Sequence, residues 1–487
     1  MKNRGYVTVF VTMLLAVMMI IVMAVLQITD ESHAKTKSVT ALSSAMSSEL
    51  AEFNPYVYDR YHILLLDRNS AGQGEEAMVT DMKSLLEYDL GDKFSVGNLE
   101  ISKIISLMDD DCKEFDRQIR QNFKYDAADY TAEKILQKTS GNDTPVDDET
   151  ISEMEEDIGN EQSRIQAETE DSESDDSESE DEEEDDDKEK DNSEESVEDP
   201  RKALKAYTDA GIAVLILPEE VKLSSEEVPE DLPSKGRGIF TEEDIDTDFN
   251  DKGKLETDSM KGNGWSTSLM NGAETLVYAS KYFNCLTDQP YDDTALNLEM
   301  EYLAVGGKND GENYRRVVNR ILLIRFGFNF AYILTDPVRM AKCDALALSI
   351  CAGFPPMQPV VKFLLAGCWS YIESIADVYL LLRNHKVPFF KTTATWETDF
   401  ESLSHLDSIQ NKSEDDEKGL DYKDYMIILM ALQGNNLKYR ILDLIQINTN
   451  KNNDETFRIK NAITAFGVNA EISYGSKDFS IYEETGY

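Results

Sequence analysis

Apolar and polar positions divide the chain into distinct regimes. From Tyr6 to Leu26 every residue is apolar except Thr8 and Thr12, with no Gly or Pro. About 20 such residues cross a bilayer core as a helix, so the run predicts a membrane span. From Asp30 to Phe53 the pattern changes. Val39, Leu42, Met46, Leu50 and Phe53 recur at three- and four-residue steps, again without Gly or Pro, until Asn54-Pro55. This spacing extends the same helix as an amphipathic rod and ends it at the proline. The whole helix would be about 70 Å long, and its outer stripe must pack on the chain's own domain or on a partner.

Beyond Pro55 the pattern predicts a soluble α+β assembly. Residues 61–66 suit a buried strand, Gly72–Leu90 a helix, Asn98–Leu107 a strand and Asp111–Lys138 a long helix, an order that suggests a compact α/β layer against the anchor helix. Gly211–Pro218 and Leu296–Val305 are further expected strands. Asn313–Leu334 carries an apolar helical stripe. Asp336-Pro337 supplies a cap and a first-turn proline for a helix running to about Cys351. Pro359 opens another helix to about Asn384, and Tyr422–Leu432 and Leu437–Asn448 add two more. Phe457–Tyr474 alternates in part and reads as a hairpin or edge pair closing the sheet. Phe363–Leu382 is apolar enough to suggest a second span, but Glu373 and Asp377 within it would each cost about 2.5–3.5 kcal/mol at mid-bilayer. A soluble helical bundle is the better assignment.

Composition adds a spacer. From Asp171 to Asp199 there are nineteen acidic residues and two lysines. A segment of this composition cannot bury enough apolar surface to fold, so residues 142–200 are expected to be a disordered acidic insertion, with 222–262 a second polar loop. The expected organisation is a cytoplasmic tip and anchor over 1–29, a membrane-proximal α/β region over 30–141, the acidic segment over 142–200, and an extracytoplasmic remainder over 201–487. The fold class is α+β: one transmembrane helix prolonged by an amphipathic one, a small mixed sheet and a C-terminal helical bundle.

The formal charge of −47 argues against nucleic acid, whose phosphates require a basic face. Lys2 and Arg4 ahead of the apolar run favour a cytoplasmic N-terminus by the positive-inside rule, leaving the bulk outside. The five cysteines lack any CxxC pair, and the four histidines are scattered, so neither a disulfide framework nor a metal site is expected. Gly306-Gly307-Lys308 lacks the rest of a phosphate loop. No catalytic residue, cofactor or small-molecule substrate is identified. The one suggestive constellation is Glu373 with Asp377, four residues apart on an apolar helix, with Arg316, Arg320 and Arg325 on another helix available to neutralise them. It reads first as a buried ion-pair network and secondly as an acid/base pair in a membrane-tethered enzyme.

The opening Arg4-Gly5-Tyr6-Val7-Thr8-Val9-Phe10, followed by one long apolar helix, resembles the TadE/TadF/TadG-like minor pilins of Tad (Flp-type) pilus systems. That resemblance implies prepilin-type processing between Gly5 and Tyr6, although Phe10 stands where such proteins place Glu. Further passages resemble an uncharacterised family of membrane-anchored proteins from clostridia-like Firmicutes. They are Tyr58-Asp59-Arg60-Tyr61, Leu232-Pro233-Ser234-Lys235, Val317-Val318-Asn319-Arg320, Trp369-Ser370-Tyr371-Ile372-Glu373-Ser374, Lys386-Val387-Pro388 and Arg440-Ile441-Leu442-Asp443. The implied role is non-enzymatic: a single-pass component of a pilus or related envelope assembly. The implied partners are the lipid bilayer and other Tad/pilin-like membrane proteins. The alternative is a stand-alone surface protein never built into a fibre.

Overall fold

A computed structural model describes residues 4–68, 74–122, 198–235, 272–289, 293–400, 403–404 and 419–487. It divides into a sheet unit, drawn from residues 1–124 and 442–487, and a helical unit, drawn from 125–441. The expected acidic insertion lies almost wholly outside the described residues.

The sheet unit is built on α1 (Arg4–Leu50), one uninterrupted helix of 47 residues. Its two halves live in different surroundings. None of its most apolar stretch is buried, and the large side chains from Val7 to Ile28 are bare. From Ala34 onward one stripe turns inward: Ala34, Ser38, Ala41, Leu42, Ala45, Met46 and Leu50 are buried. The small residues in this stripe allow a close approach to the layer beneath. The amphipathic pattern thus packs on the chain's own fold.

Asn54 caps α2 (Pro55–Tyr61), its side chain accepting from Val57 N–H. The strand expected over 61–66 is therefore a correction. Tyr61 closes a helix, and only β1 (Leu66–Asp67) is extended. Pro55 at the first turn starts the helix, His62 ends it in the left-handed region at φ 55°, and Ile63 and Leu65 are buried in irregular backbone. Next come α3 (Glu75–Leu90), β2 (Phe94–Ser106) and α4 (Asp109–Asn122), whose regular turns follow a left-handed kink at Asp110–Cys112. The end of the chain returns as β3 (Ala462–Tyr474) and β4 (Lys477–Gly486).

β3 is the central strand, flanked by β2 on one side and by β1 and β4 on the other. Every pairing is antiparallel, so the sheet is not mixed as expected, and β3 is not an edge. The β3–β4 register runs unbroken from Ala465↔Gly486 to Tyr474↔Lys477. Gly475, at φ +61°, opens the two-residue turn there, a position that favours glycine. Phe466, Val468, Ala470 and Ile472 alternate onto one face and pack with Leu42, Met46, Met82 and Leu86. Asn469 and Glu471 point to water on the other face, the ordinary division of a one-sided antiparallel sheet.

The helical unit comprises α5 (Pro200–Ala210), α6 (Ile212–Leu215), α7 (Ala273–Tyr282), α8 (Glu299–Val305), α9 (Asp310–Thr335), α10 (Pro337–Ile350), α11 (Gln358–Leu382) and α12 (Tyr422–Ala431). Helix α13 (Asn436–Asn452) contributes its residues up to Ile441. Two expected strands are corrected here. Residues 211–218 form the short helix α6, with Val214 exposed, and join no described strand. Residues 296–305 contain α8, buried on every side. Burial all round erases the helical period from the sequence, which then looks like a core strand. Gly306, at φ +65°, ends α8 by donating its N–H to Tyr302 O, and a Cβ there would lie 2.8 Å from the Arg440 guanidinium. This glycine serves a helix end.

Asp336 caps α10 as its sequence suggests, accepting from Val338 and Arg339 N–H at 2.9 and 3.1 Å. By length and composition α9 and α11 also suffice to cross a membrane, yet 72 % of the apolar window of α11 is buried within the fold, against none in α1.

Candidate functional site

From Phe363 to Leu382 helix α11 is apolar apart from a polar stripe: Ser370, Glu373, Ser374 and Asp377, all fully buried. Steps of three and four residues put these groups on one face. Opposite them stand Arg325 and Asn329 of α9, Tyr425 of α12, and Lys391 from the segment after α11.

Arg325 places Nη2 2.8 Å and Nε 2.9 Å from Asp377 Oδ2. Its Nη1 donates to the carbonyls of Pro388 and Phe389, each at 2.9 Å, and to Tyr425 OH at 3.2 Å. Asn329 Nδ2 donates to Asp377 Oδ2 at 2.8 Å and Ser374 Oγ at 3.0 Å. Lys391 Nζ lies 2.7 Å from both Glu373 Oε1 and Asp377 Oδ1, and donates to Thr395 O at 2.8 Å. Glu373 further accepts from Glu397 N–H, Thr398 N–H and Thr398 Oγ1 at 2.8–2.9 Å. The indoles of Trp369 and Trp396 both donate to Thr398 Oγ1.

Two carboxylates thus face two cations with the side chains of Arg325, Asp377 and Glu373 at zero exposure and Lys391 at 1 %. Burial alone would raise the pKa of Asp377. The Arg325 guanidinium and the Lys391 ammonium outweigh it and hold the carboxyl below the usual range. Burial would likewise lower Lys391, but Asp377 and Glu373 keep it above its ordinary value. Neither group is poised to exchange a proton near neutrality. The arrangement fastens α9, α11, α12 and residues 387–398 to one another.

The structure therefore brings Glu373, Asp377 and Arg325 together and leaves Arg316 and Arg320 outside the cluster. Five residues separate Arg320 from Arg325, a rotation of about 140° around the helix. Arg316 pairs with Glu312 on its own helix. Arg320 donates to Ala304 O at 3.0 Å. Burial, with Arg440 and Arg316 nearby, brings its pKa down to about 10. Lys391 is the member that sequence reasoning missed. Its signal is faint, a lone lysine directly after the apolar Val387-Pro388-Phe389-Phe390.

A second acidic group supports irregular backbone. Glu299 accepts from Asn284 N–H at 3.0 Å, and Glu301 Oε1 from Leu286 N–H at 2.9 Å and Tyr422 OH at 2.8 Å. Asp310 accepts from Ser224, Asn297 and Leu298 N–H. These carboxylates satisfy donors that no regular element would. Glu301 Oε2 is buried without a hydrogen-bond partner, and burial pushes this carboxyl from 4.5 up to about 7. An acid whose pKa is raised by folding stabilises the fold while protonated. That contribution is full below about 4.5 and is lost as pH rises through about 7. Glu301→Gln keeps the acceptor and removes the titration. Between pH 5 and 8 the wild-type chain should lose up to about 3 kcal/mol relative to this variant, read by denaturant unfolding at the two pH values. Parallel behaviour of the two proteins would contradict the assignment.

Among the described residues no three His, Cys, Asp or Glu side chains converge as a metal site. Cys112, Cys285, Cys343 and Cys351 are buried and Cys368 is partly so, all as free thiols.

The described residues define a protein with an apolar N-terminal helix fit to anchor it in a membrane, an antiparallel sheet unit and a helical unit closed around buried ion pairs. Residues 190–474, more than half of the chain, match a family of unknown function, DUF5702, and the chain belongs to that family. No curated protein and no solved structure matches it.

Proposed function

We propose that the protein is a non-enzymatic, single-pass membrane protein with its bulk outside the cytoplasm, and a minor pilin-like component of a Tad/Flp-type pilus or a related envelope assembly. One observation carries the reading. The bare half of α1 continues without a break into a half that is packed in the sheet unit. An exposed apolar rod of this length needs lipid or other helices around it, and its rigid continuation fixes the sheet unit to whatever the rod joins. The opening Arg4-Gly5-Tyr6 supports the pilin-like version. Phe10, in place of Glu, favours a second version, a stand-alone anchored surface protein whose N-terminus is never cut.

Mass spectrometry of the mature N-terminus separates the two. The pilin-like reading expects a chain beginning at Tyr6 that co-purifies with sheared surface filaments. An intact N-terminus on a chain absent from such filaments would overturn it in favour of the second.

A further inference from the structure

The geometry points to a second membrane contact in the sheet unit: the end formed by Lys93, Phe94, Tyr474 and the Gly475-Ser476-Lys477 turn rests in the phospholipid headgroup layer of the leaflet that α1 leaves. This inference rests on the reading of α1 as a bilayer span and adds to it a surface outside that helix.

Height along the rigid axis of α1 sets this contact. The bare residues Val7–Ile28 cover about 33 Å at 1.5 Å per residue, which matches a hydrocarbon core of about 30 Å. Asp30 and Glu31 follow Ile28 by about 3–5 Å along the axis, within a headgroup layer of about 5–7 Å. The far end of the sheet is tied to these two residues. Tyr474 OH donates to Asp30 at 3.2–3.3 Å, and Lys477 Nζ is 3.0 Å from Glu31. Phe94 packs on Tyr474 with ring centroids 4.8 Å apart, which sets it at the same level. Lys37, about 13 Å beyond Ile28 along the axis, reaches over the Phe94 ring and donates to Leu90 O at 2.8 Å. The opposite end of the unit lies far up the helix, where Tyr487 OH donates to Leu50 O.

The chemistry suits the location. Tyr and Phe rings beside lysines with flexible stems are the groups that settle at a membrane–water boundary. Lys93 and the Gly475–Lys477 turn are exposed, and Phe94 and Tyr474 are partly so. Asp92 and Asp478 share this end and balance its lysines, so the surface fits a polar headgroup layer without requiring anionic lipid. From Tyr6 to Leu50 α1 has no Gly or Pro on which the unit could swing away. The surface is continuous with the span and has one occupant available, the leaflet itself.

The test uses the full chain in phosphatidylcholine vesicles, with single bimane labels at Ser476→Cys, Lys93→Cys, Glu484→Cys and Val22→Cys. The unsubstituted protein, labelled in parallel, gives the background from its five native thiols. Glu484 lies about 26 Å up β4 from the turn. A nitroxide on the lipid headgroup should quench the Ser476 and Lys93 labels several-fold more than the Glu484 label. Equal quenching at the three sites, with Val22 quenched by a mid-chain nitroxide, would overturn the headgroup contact and leave the anchor standing. A Val22 label that escapes the mid-chain nitroxide would overturn the anchor, and the headgroup contact with it.

Discussion

Asp377→Ala should unfold the helical unit at temperatures the wild type withstands, with a loss of about 3–5 kcal/mol, the usual consequence of leaving a buried charge without its partner. Asp377 holds Arg325, Lys391 and Asn329 together, and its removal leaves Lys391 on Glu373 alone and the Arg325 guanidinium without a carboxylate in a space closed to water. Lys391→Ala should cost a comparable amount by leaving Glu373 and Asp377 adjacent, four residues apart on α11. Lys391→Met combined with Glu373→Gln should lose much less than the sum of its parts, because paired charges can be replaced by groups of similar shape at little cost. Circular dichroism and denaturant titration of the full chain measure all of these. A single variant within about 0.5 kcal/mol of wild type, the range typical of surface changes, would show that the cluster is not the clamp described.

The second large effect lies in α1. Val17→Asp with Ile21→Asp puts two charges near the middle of the bare stretch, at about 2.5–3.5 kcal/mol each. The doubly substituted chain should leave the membrane pellet for the soluble or aggregated fraction. The same pair of changes at Thr36 and Thr40, on the exposed side of the packed half, should leave partition unchanged. Loss of membrane association in both variants would mean that the bare stretch has no special role.

The reasons these features were or were not legible in the sequence are physical. The two halves of α1 stand out because a bilayer-length apolar run and a three/four-residue stripe are long patterns that few other structures produce. Caps made α10 visible through Asp336-Pro337, and length did the same for α9 and α11. The short runs at 211–218 and 296–305 misled because four to eight apolar residues satisfy a strand and a helix alike, and the run at 61–66 misled because its buried residues Ile63 and Leu65 lie in irregular backbone. α8 is the clearest case, since it has no exposed face to mark its period. Of the charge cluster, Glu373 and Asp377 were visible as acids on an apolar helix. Arg325 could have been chosen over Arg316 and Arg320 from its phase with Val318, Leu322 and Asn329, which share its buried face. Lys391 could not be chosen so readily. Its place is set by where the segment after α11 folds back, which no local pattern records.

If α1 threads the bilayer once, the rest of the chain lies outside the cytoplasm. Protease added to intact protoplasts addresses this directly, with the Val17→Asp, Ile21→Asp chain as the control that should not be anchored. The wild-type protein should be cut down to a short membrane-held fragment containing α1. A chain that stays whole until the protoplasts are lysed, or one found dissolved in the cytosol, would contradict the account.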